Sequence, residues 1–185
     1  ENLLVNLYSL SYQPLHYVSM KRISPRCIFR MSVVFIILYG SIAAAQSQRS
    51  ELFDHNWMFS LGDNVSWSNP ETDDSGWRKL DLPHDWSIEG KVEPQNPSGR
   101  DGGYFPTGTG WYRKTFQAQD DWKGKLISVY FEGVYMNAEV YLNGKRLGKY
   151  PYGYSSFSFD LTPHLHFSGE NVMAVRVDNS QQKNC

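Results

Sequence analysis

One dipeptide constrains this chain more than any other pair of residues. The alternating run at 137–142 (NAEVYL) leads into Asn143-Gly144, and KRLG follows at 145–148. Both central residues of a type I′ turn need positive φ, which Asn and Gly accept at low cost. The pattern therefore predicts a β-hairpin turning at these two positions. Similar runs recur at short spacing between Gly, Pro, Asn and Asp. They are WYRKTFQA at 111–118, LISVYFE at 126–132, and SSFSFDL at 155–161, which sets Phe157, Phe159 and Leu161 on one face. Residues 171–178 (NVMAVRVD) are almost continuously apolar, as a strand buried in the sheet is. Thr162-Pro163 reads as an N-cap with Pro at N1, giving one short helical turn. No stretch of 51–185 sustains an apolar i, i+3, i+4, i+7 pattern over three turns. An all-β fold is expected over residues 51–180, an antiparallel β-sandwich or jelly roll. Residues 83–110 hold three prolines after Pro83 and six glycines, so they read as one long loop, functional or disordered.

The first 45 residues have a different character. From Met20, the basic residues Lys21, Arg22, Arg26 and Arg30 precede an apolar run at 32–42 and the small residues Ala43-Ala44-Ala45. This is the layout of a signal peptide over 20–45 with cleavage after Ala45. The apolar run falls short of the about 20 residues that a membrane span needs; a single N-terminal anchor is the alternative reading. Residues 1–19 precede Met20 without periodicity and read as upstream read-through, with Met20 as the true start. Residues 46–185 are then the exported domain, periplasmic, secreted or on the outer surface. Residues 1–45 are expected to stay out of its core, with a helix over 30–45 if the leader is uncut. Residues 1–45 hold four basic residues and one acidic; taken from totals of 18 and 19, this leaves 46–185 acidic by four. That balance argues against an electrostatic nucleic-acid binder. Cys27 and Cys185 sit near opposite ends and define no disulfide framework.

Five ordered motifs carry a resemblance: LPHDW (82–86), GGYFPTGTGWYRKTF (102–116), FEGVYMNAEVYLNGKRLG (131–148), GYSSFSFDLT (153–162) and ENVMAVRVDNS (170–180). Together they resemble the N-terminal sugar-binding domain of glycoside hydrolase family 2, which includes β-galactosidases, β-glucuronidases and β-mannosidases. The pattern is most similar to exported β-galactosidase-like members. The resemblance implies a jelly-roll, galactose-binding-like β-sandwich that precedes an immunoglobulin-like domain and a (β/α)8 barrel. It implies a carbohydrate substrate and no cofactor. Both catalytic glutamates of the family lie in the barrel, so none is expected here. The chain reads as a truncated frame, inactive alone.

The chemistry-bearing residues admit two readings each. A retaining glycosidase needs two carboxyl groups about 5 Å apart, and Glu132 and Glu139 are the tempting pair on adjacent strands. Their plainer role is as solvent-side strand residues. His84-Asp85-Trp86 offers hydrogen bonds to sugar hydroxyls and a ring face for stacking; otherwise these residues fasten the loop while Trp86 plugs the core edge. In Gly108-Thr109-Gly110-Trp111-Tyr112-Arg113, glycines permit close approach of a ligand, and Arg113 suits a carboxylate or hydroxyl pair or else a salt bridge on the sheet. By the resemblance, Thr107, Gly108 and Thr109 edge the substrate pocket of the complete enzyme. His164-x-His166 presents two imidazoles with no third ligand at usual spacing, so no metal is expected. Asn64-Val65-Ser66 fits the glycosylation sequon. Two other functions are a free-standing carbohydrate-binding module, stacking sugars on Trp86, Tyr104 and Trp111, and a structural interaction domain.

Overall fold

The computed structural model describes the backbone of Asn6–Pro14 and residues 49–180 in full. The strands are β1 (Asn6–Pro14), β2 (Arg49–Glu51), β3 (Trp57–Leu61), β4 (Arg78–Leu80), β5 (Thr109–Gln117), β6 (Lys125–Gly133), β7 (Ala138–Leu142), β8 (Lys145–Tyr150), β9 (Phe157–Asp160) and β10 (Glu170–Asp178). They form two antiparallel sheets, one ordered β2-β1-β6-β9 and the other β4-β3-β5-β10-β7-β8. The helical pieces among the described residues are 3-10 turns at Val65–Ser68, Asp120–Trp122 and Thr162–His164. The all-β class read from the sequence is the class observed.

Period-two alternation builds the core. Tyr112 of β5, Ala138, Val140 and Leu142 of β7, and Met173, Val175 and Val177 of β10 point to one side of the larger sheet. There they join Ile127, Val129 and Phe131 of β6 in a single buried cluster. The Val, Leu, Ile, Met and Phe side chains among them each contribute about 1.5–3 kcal/mol by leaving water. On the other side of the larger sheet, Trp111, Tyr141 and Ala174 pack with Trp67 and Trp77. β10 lies between β5 and β7 with both faces covered, which accounts for its nearly unbroken apolar sequence.

The hairpin turns where the dipeptide requires. Asn143 and Gly144 have φ of 51° and 76°, and Leu142 pairs with Lys145 across the turn. The Asn143 side chain also works at longer range. Its amide nitrogen donates to the His164 carbonyl at 2.8 Å and to Asn171 Oδ1 at 2.9 Å, and its oxygen accepts from the Val172 N–H at 2.9 Å. Buried Asn171 in turn donates to the His166 carbonyl and accepts from the His166 N–H, both at 2.8 Å. Two side-chain amides therefore tie the hairpin, the start of β10 and the 162–166 turn together.

Three details differ from the sequence reading. Leu161, not Thr162, is the cap of the last 3-10 turn; the Thr162 hydroxyl instead accepts from the Ile127 N–H at 2.8 Å. β3 and β4 are additional strands, short ones at the edge of the larger sheet. Residues 6–14, expected to stay apart, join the smaller sheet, with Leu10 opposite Val129 of β6. An open strand edge presents unpaired N–H and C=O groups and templates an added strand. Residues 20–45, with the expected leader and its helix over 30–45, lie outside the described residues. Among the described residues no helix is long and apolar enough to cross a membrane.

The amide link is testable. Asn143→Gly keeps the turn conformation but removes the link, leaving the Val172 N–H and Asn171 short of partners. It should cost about 1–3 kcal/mol in denaturant unfolding, and a variant as stable as the parent would contradict the bridging role.

Candidate functional site

Residues 81–108 connect β4 to β5 without regular structure, as the glycine and proline content predicts. Buried side chains fasten this long loop. His84 Nδ1 lies 2.9 Å from the Tyr112 hydroxyl, and its Nε2 lies 3.3 Å from Glu89 Oε1. Glu89 is held by both terminal nitrogens of Arg78, at 2.5 and 2.8 Å. Burial pushes the His84 imidazole below the usual histidine range, with the Glu89 charge pulling the other way. Burial also raises the Tyr112 phenol far above its ordinary value, and the Arg78 bond lowers the Glu89 carboxyl. Asp85 Oδ1 accepts from the Ser87 N–H at 3.0 Å and from the Ser87 hydroxyl at 2.7 Å, closing a local turn. Trp86 is buried in the main cluster. Of the two readings of His84-Asp85-Trp86, loop fastening with Trp86 at the core edge is the one these contacts describe.

The loop enters β5 at Thr107, Gly108 and Thr109, all half-buried. Gly108 exchanges two bonds with Asn179: its N–H donates to Asn179 Oδ1 at 2.8 Å and its carbonyl accepts from the Asn179 N–H at 3.0 Å. Gly110 is a close approach, since a Cβ there would sit 2.9 Å from the Phe59 ring and 3.1 Å from Trp86 Nε1. Two buried donors in this region, Trp86 Nε1 and Asn179 Nδ2, meet no acceptor among the described residues.

Trp111 and Arg113 face the other way, which corrects the ligand-facing reading of each and leaves Arg113 with the salt bridge of the alternative reading. Trp111 is fully buried, stacked on Tyr141 at 5.8 Å with 28° between the rings, so it offers no sugar platform. Arg113 is 1% exposed. Its Nε donates to Asp74 Oδ2 at 2.8 Å, and its terminal nitrogens reach the carbonyls of Trp67, Asn69, Pro70 and Thr72 at 2.5–3.4 Å. The guanidinium is committed to organising the segment before β4 and cannot clamp a ligand. A sequence pattern marks no such role, because four of its five partners are backbone carbonyls.

The carboxylates do not converge. Glu132 lies on β6 in the smaller sheet and Glu139 on β7 in the larger, so the adjacent-strand pairing is overturned. Glu139 accepts from the Tyr141 hydroxyl at 3.0 Å and lies 3.2 to 3.9 Å from Arg146, Arg176 and Lys149. The backbones of His164 and His166 belong to the amide link described above, and the described residues include no group of three or more His, Cys, Asp and Glu able to hold a metal. Asn64 caps the Val65–Ser68 turn, accepting from the Ser66 N–H at 3.0 Å and hydroxyl at 2.8 Å.

Residues 62–183 match the family described as "Beta-galactosidase second all-beta domain". The chain belongs to this family. It is an all-β domain of glycoside hydrolase family 2, as the five motifs implied. It is 53% identical over 145 residues to Beta-galactosidase BoGH2A of Bacteroides ovatus, covering 78% of this chain and 17% of that protein. A Putative beta-glucuronidase of Formosa agariphila is 45% identical over 150 residues, 80% of this chain and 14% of its own length. Among solved structures, a beta-glycosidase from Bacteroides vulgatus superposes with a TM-score of 0.67 at 48% identity, over 70% of this chain and 17% of that one. The beta-glucuronidase of Bacteroides uniformis gives 0.65 at 32% identity, over 72% and 15%. The chain thus spans under one fifth of the length of these relatives.

Two outcomes test the site's construction. Arg113→Lys keeps the charge but not the fork of donors, and should cost about 1–3 kcal/mol in thermal unfolding, the scale of buried acceptors left without a donor. Because the folded domain favours neutral His84, the unfolded chain binds the extra proton as pH falls below about 6.5, and stability falls with it. His84→Gln should flatten the stability profile between pH 7 and 5 relative to the parent; identical slopes would contradict the burial.

Proposed function

We propose that this domain is the N-terminal accessory, sugar-binding part of an exported family 2 enzyme that hydrolyses β-glycosides, β-galactosides foremost. Its two sheets form a jelly-roll sandwich. The loop of residues 81–108 borders the substrate pocket of the complete enzyme, with Thr107, Gly108 and Thr109 at the pocket edge and His84, Asp85 and Trp86 holding that edge in place. The immunoglobulin-like and barrel domains of the same protein are its partners, and the barrel carries the catalytic carboxylates. Export rests on the 20–45 leader, cut after Ala45.

The observation that carries this reading is the pair of buried donors without acceptors, Trp86 Nε1 and Asn179 Nδ2, in contact with the Gly108–Gly110 backbone. Unmatched buried polar groups are rare and call for a partner, a water or an ion among them. The ion-paired Glu139 and the separate sheets of Glu132 and Glu139 support the assignment of chemistry to another domain. The reading as an independent binding module loses two of its three stacking residues, since Trp86 and Trp111 are both buried.

The 185-residue chain should not turn over nitrophenyl β-galactoside, β-glucuronide or β-mannoside. In the complete enzyme, Thr109→Ala should raise KM about three- to tenfold, the scale of one lost hydrogen bond, while leaving the melting temperature nearly unchanged. Trp86→Ala is no such probe, because emptying a buried indole site costs about 3–5 kcal/mol of stability. Turnover by the isolated chain that Glu139→Gln abolishes would overturn the accessory role.

A further inference from the structure

The loop between β8 and β9 (PYGYSS, 151–156) carries two of the most exposed large side chains of the described residues. Tyr152 is 69% and Tyr154 66% exposed, yet neither is a loose surface ring. Tyr152 meets Tyr150 edge-on, with centroids 6.2 Å apart at 65°. Tyr150 stacks on Phe157 at 4.3 Å and 21°, and Phe157 on Phe131 at 4.7 Å and 12°. An aromatic ladder therefore runs from the buried cluster to the surface. Tyr154 meets Tyr135 edge-on at 5.3 Å and 60°. Between the two tyrosines, Gly153 lies so close to the Tyr135 ring that a side chain at 153 would collide with it. The Tyr150 hydroxyl is 2.8 Å from the Ser155 hydroxyl, pinning the far end of the loop. Edge-on contacts of this kind favour one orientation of the rings.

The loop is also joined to the pocket edge. The Asn137 N–H donates to the Pro151 carbonyl at 3.3 Å, and the Asn137 amide donates to the Asp178 carbonyl at 3.3 Å. The Asp178 N–H donates to the Met136 carbonyl at 3.0 Å, and the Asn179 N–H to the Gly108 carbonyl at 3.0 Å. Strand order places the start of β5, the end of β10, the start of β7 and the end of β8 side by side at one end of the larger sheet. Three inter-strand steps separate Thr109 from Tyr150, roughly 14 Å.

We propose that Tyr152 and Tyr154 form an aromatic platform for the outer sugar rings of a β-linked oligosaccharide whose other end lies at Thr107–Thr109. The inference rests on the reading of residues 107–109 as a pocket edge, and it adds a length-reading subsite to it. The occupant is a glycan. Pyranose rings present apolar C–H faces that suit a fixed phenol ring, and hydroxyl groups that suit its polar tip. A single sugar at residues 107–109 cannot span three strand spacings, whereas a short oligosaccharide can. The platform therefore selects for chain length and leaves monosaccharide affinity untouched.

Calorimetric titration of the 185-residue chain with galactose and with β-1,4-galactotriose tests this. The parent should bind the trisaccharide more tightly than galactose. The double variant Tyr152→Ala, Tyr154→Ala should raise the trisaccharide Kd about tenfold, the scale of one or two ring contacts, and leave galactose binding unchanged. Tyr152→Phe, Tyr154→Phe keeps the rings and should retain at least half of the gain; a matching melting temperature in all three proteins excludes unfolding as the cause. Trisaccharide binding that is equal in the parent and the alanine variant overturns the platform while leaving the pocket edge standing. Binding of neither sugar by the parent overturns the platform, while the pocket edge is decided by Thr109→Ala in the complete enzyme.

Discussion

A strand cannot send neighbouring side chains to the same side, and in this domain that constraint falls hardest on β5. Gly110, Tyr112 and Phe116 turn toward the shared core, while Trp111 and Arg113 turn to the outer face. The inner set receives the long loop: Tyr112 holds His84, and the bare backbone of Gly110 receives Trp86. The outer set receives the segment before β4, whose carbonyls wrap the Arg113 guanidinium. Two otherwise irregular stretches are thus moored to the two sides of one strand. The position of each depends on the register that β5 keeps with β3 and β10.

The electrostatic design follows from that placement. A guanidinium removed from water is tolerable only when its donors are matched, and the loop satisfies it with carbonyls that a tight, irregular path would otherwise leave unpaired. Each component thereby removes the other's penalty. Nearby on the same face, Arg176 plays a more open part, bonding Asp63 at 2.6 and 2.8 Å and lying 3.5 Å from Asp178 and 3.8 Å from Glu139. The outer face is consequently a polar lattice over an indole-rich layer. Its carboxylates serve as counter-ions.

What the sequence made legible was whatever local chemistry decides. Positive φ at Asn143-Gly144 needs only two residues to be recognised, and the apolar run of β10 reports burial on both sides. The loop of 81–108 announced itself by composition. What stayed hidden depended on distant pairing. β3 and β4 are too short for alternation to rise above chance, and one of the two partners of β6, β1, is a segment whose own sequence shows no strand period. Glu132 and Glu139 looked adjacent because their strands follow each other along the chain, yet the connection at 134–137 crosses from one sheet to the other. His84, Asp85 and Trp86 stand out in the sequence, but the same residue types serve a sugar or a loop, and the contacts with Tyr112, Ser87 and Gly110 are those of a loop. The tyrosine loop was quoted as a motif without being read as a surface, since exposure has no signature in residue type.

The crowding at Gly110 has a consequence for anyone who would reshape this domain. With Phe59 and Trp86 pressed against its α-carbon, that position admits hydrogen and nothing larger, and Gly108 two residues earlier sits at φ of 155°. Sequence variation in this stretch is therefore forced onto alternate positions. Residues 107 and 109 are where natural drift or a randomised library can change what this end of the sheet presents, because the fixed glycines between and after them keep the backbone on the same path whatever those two side chains become.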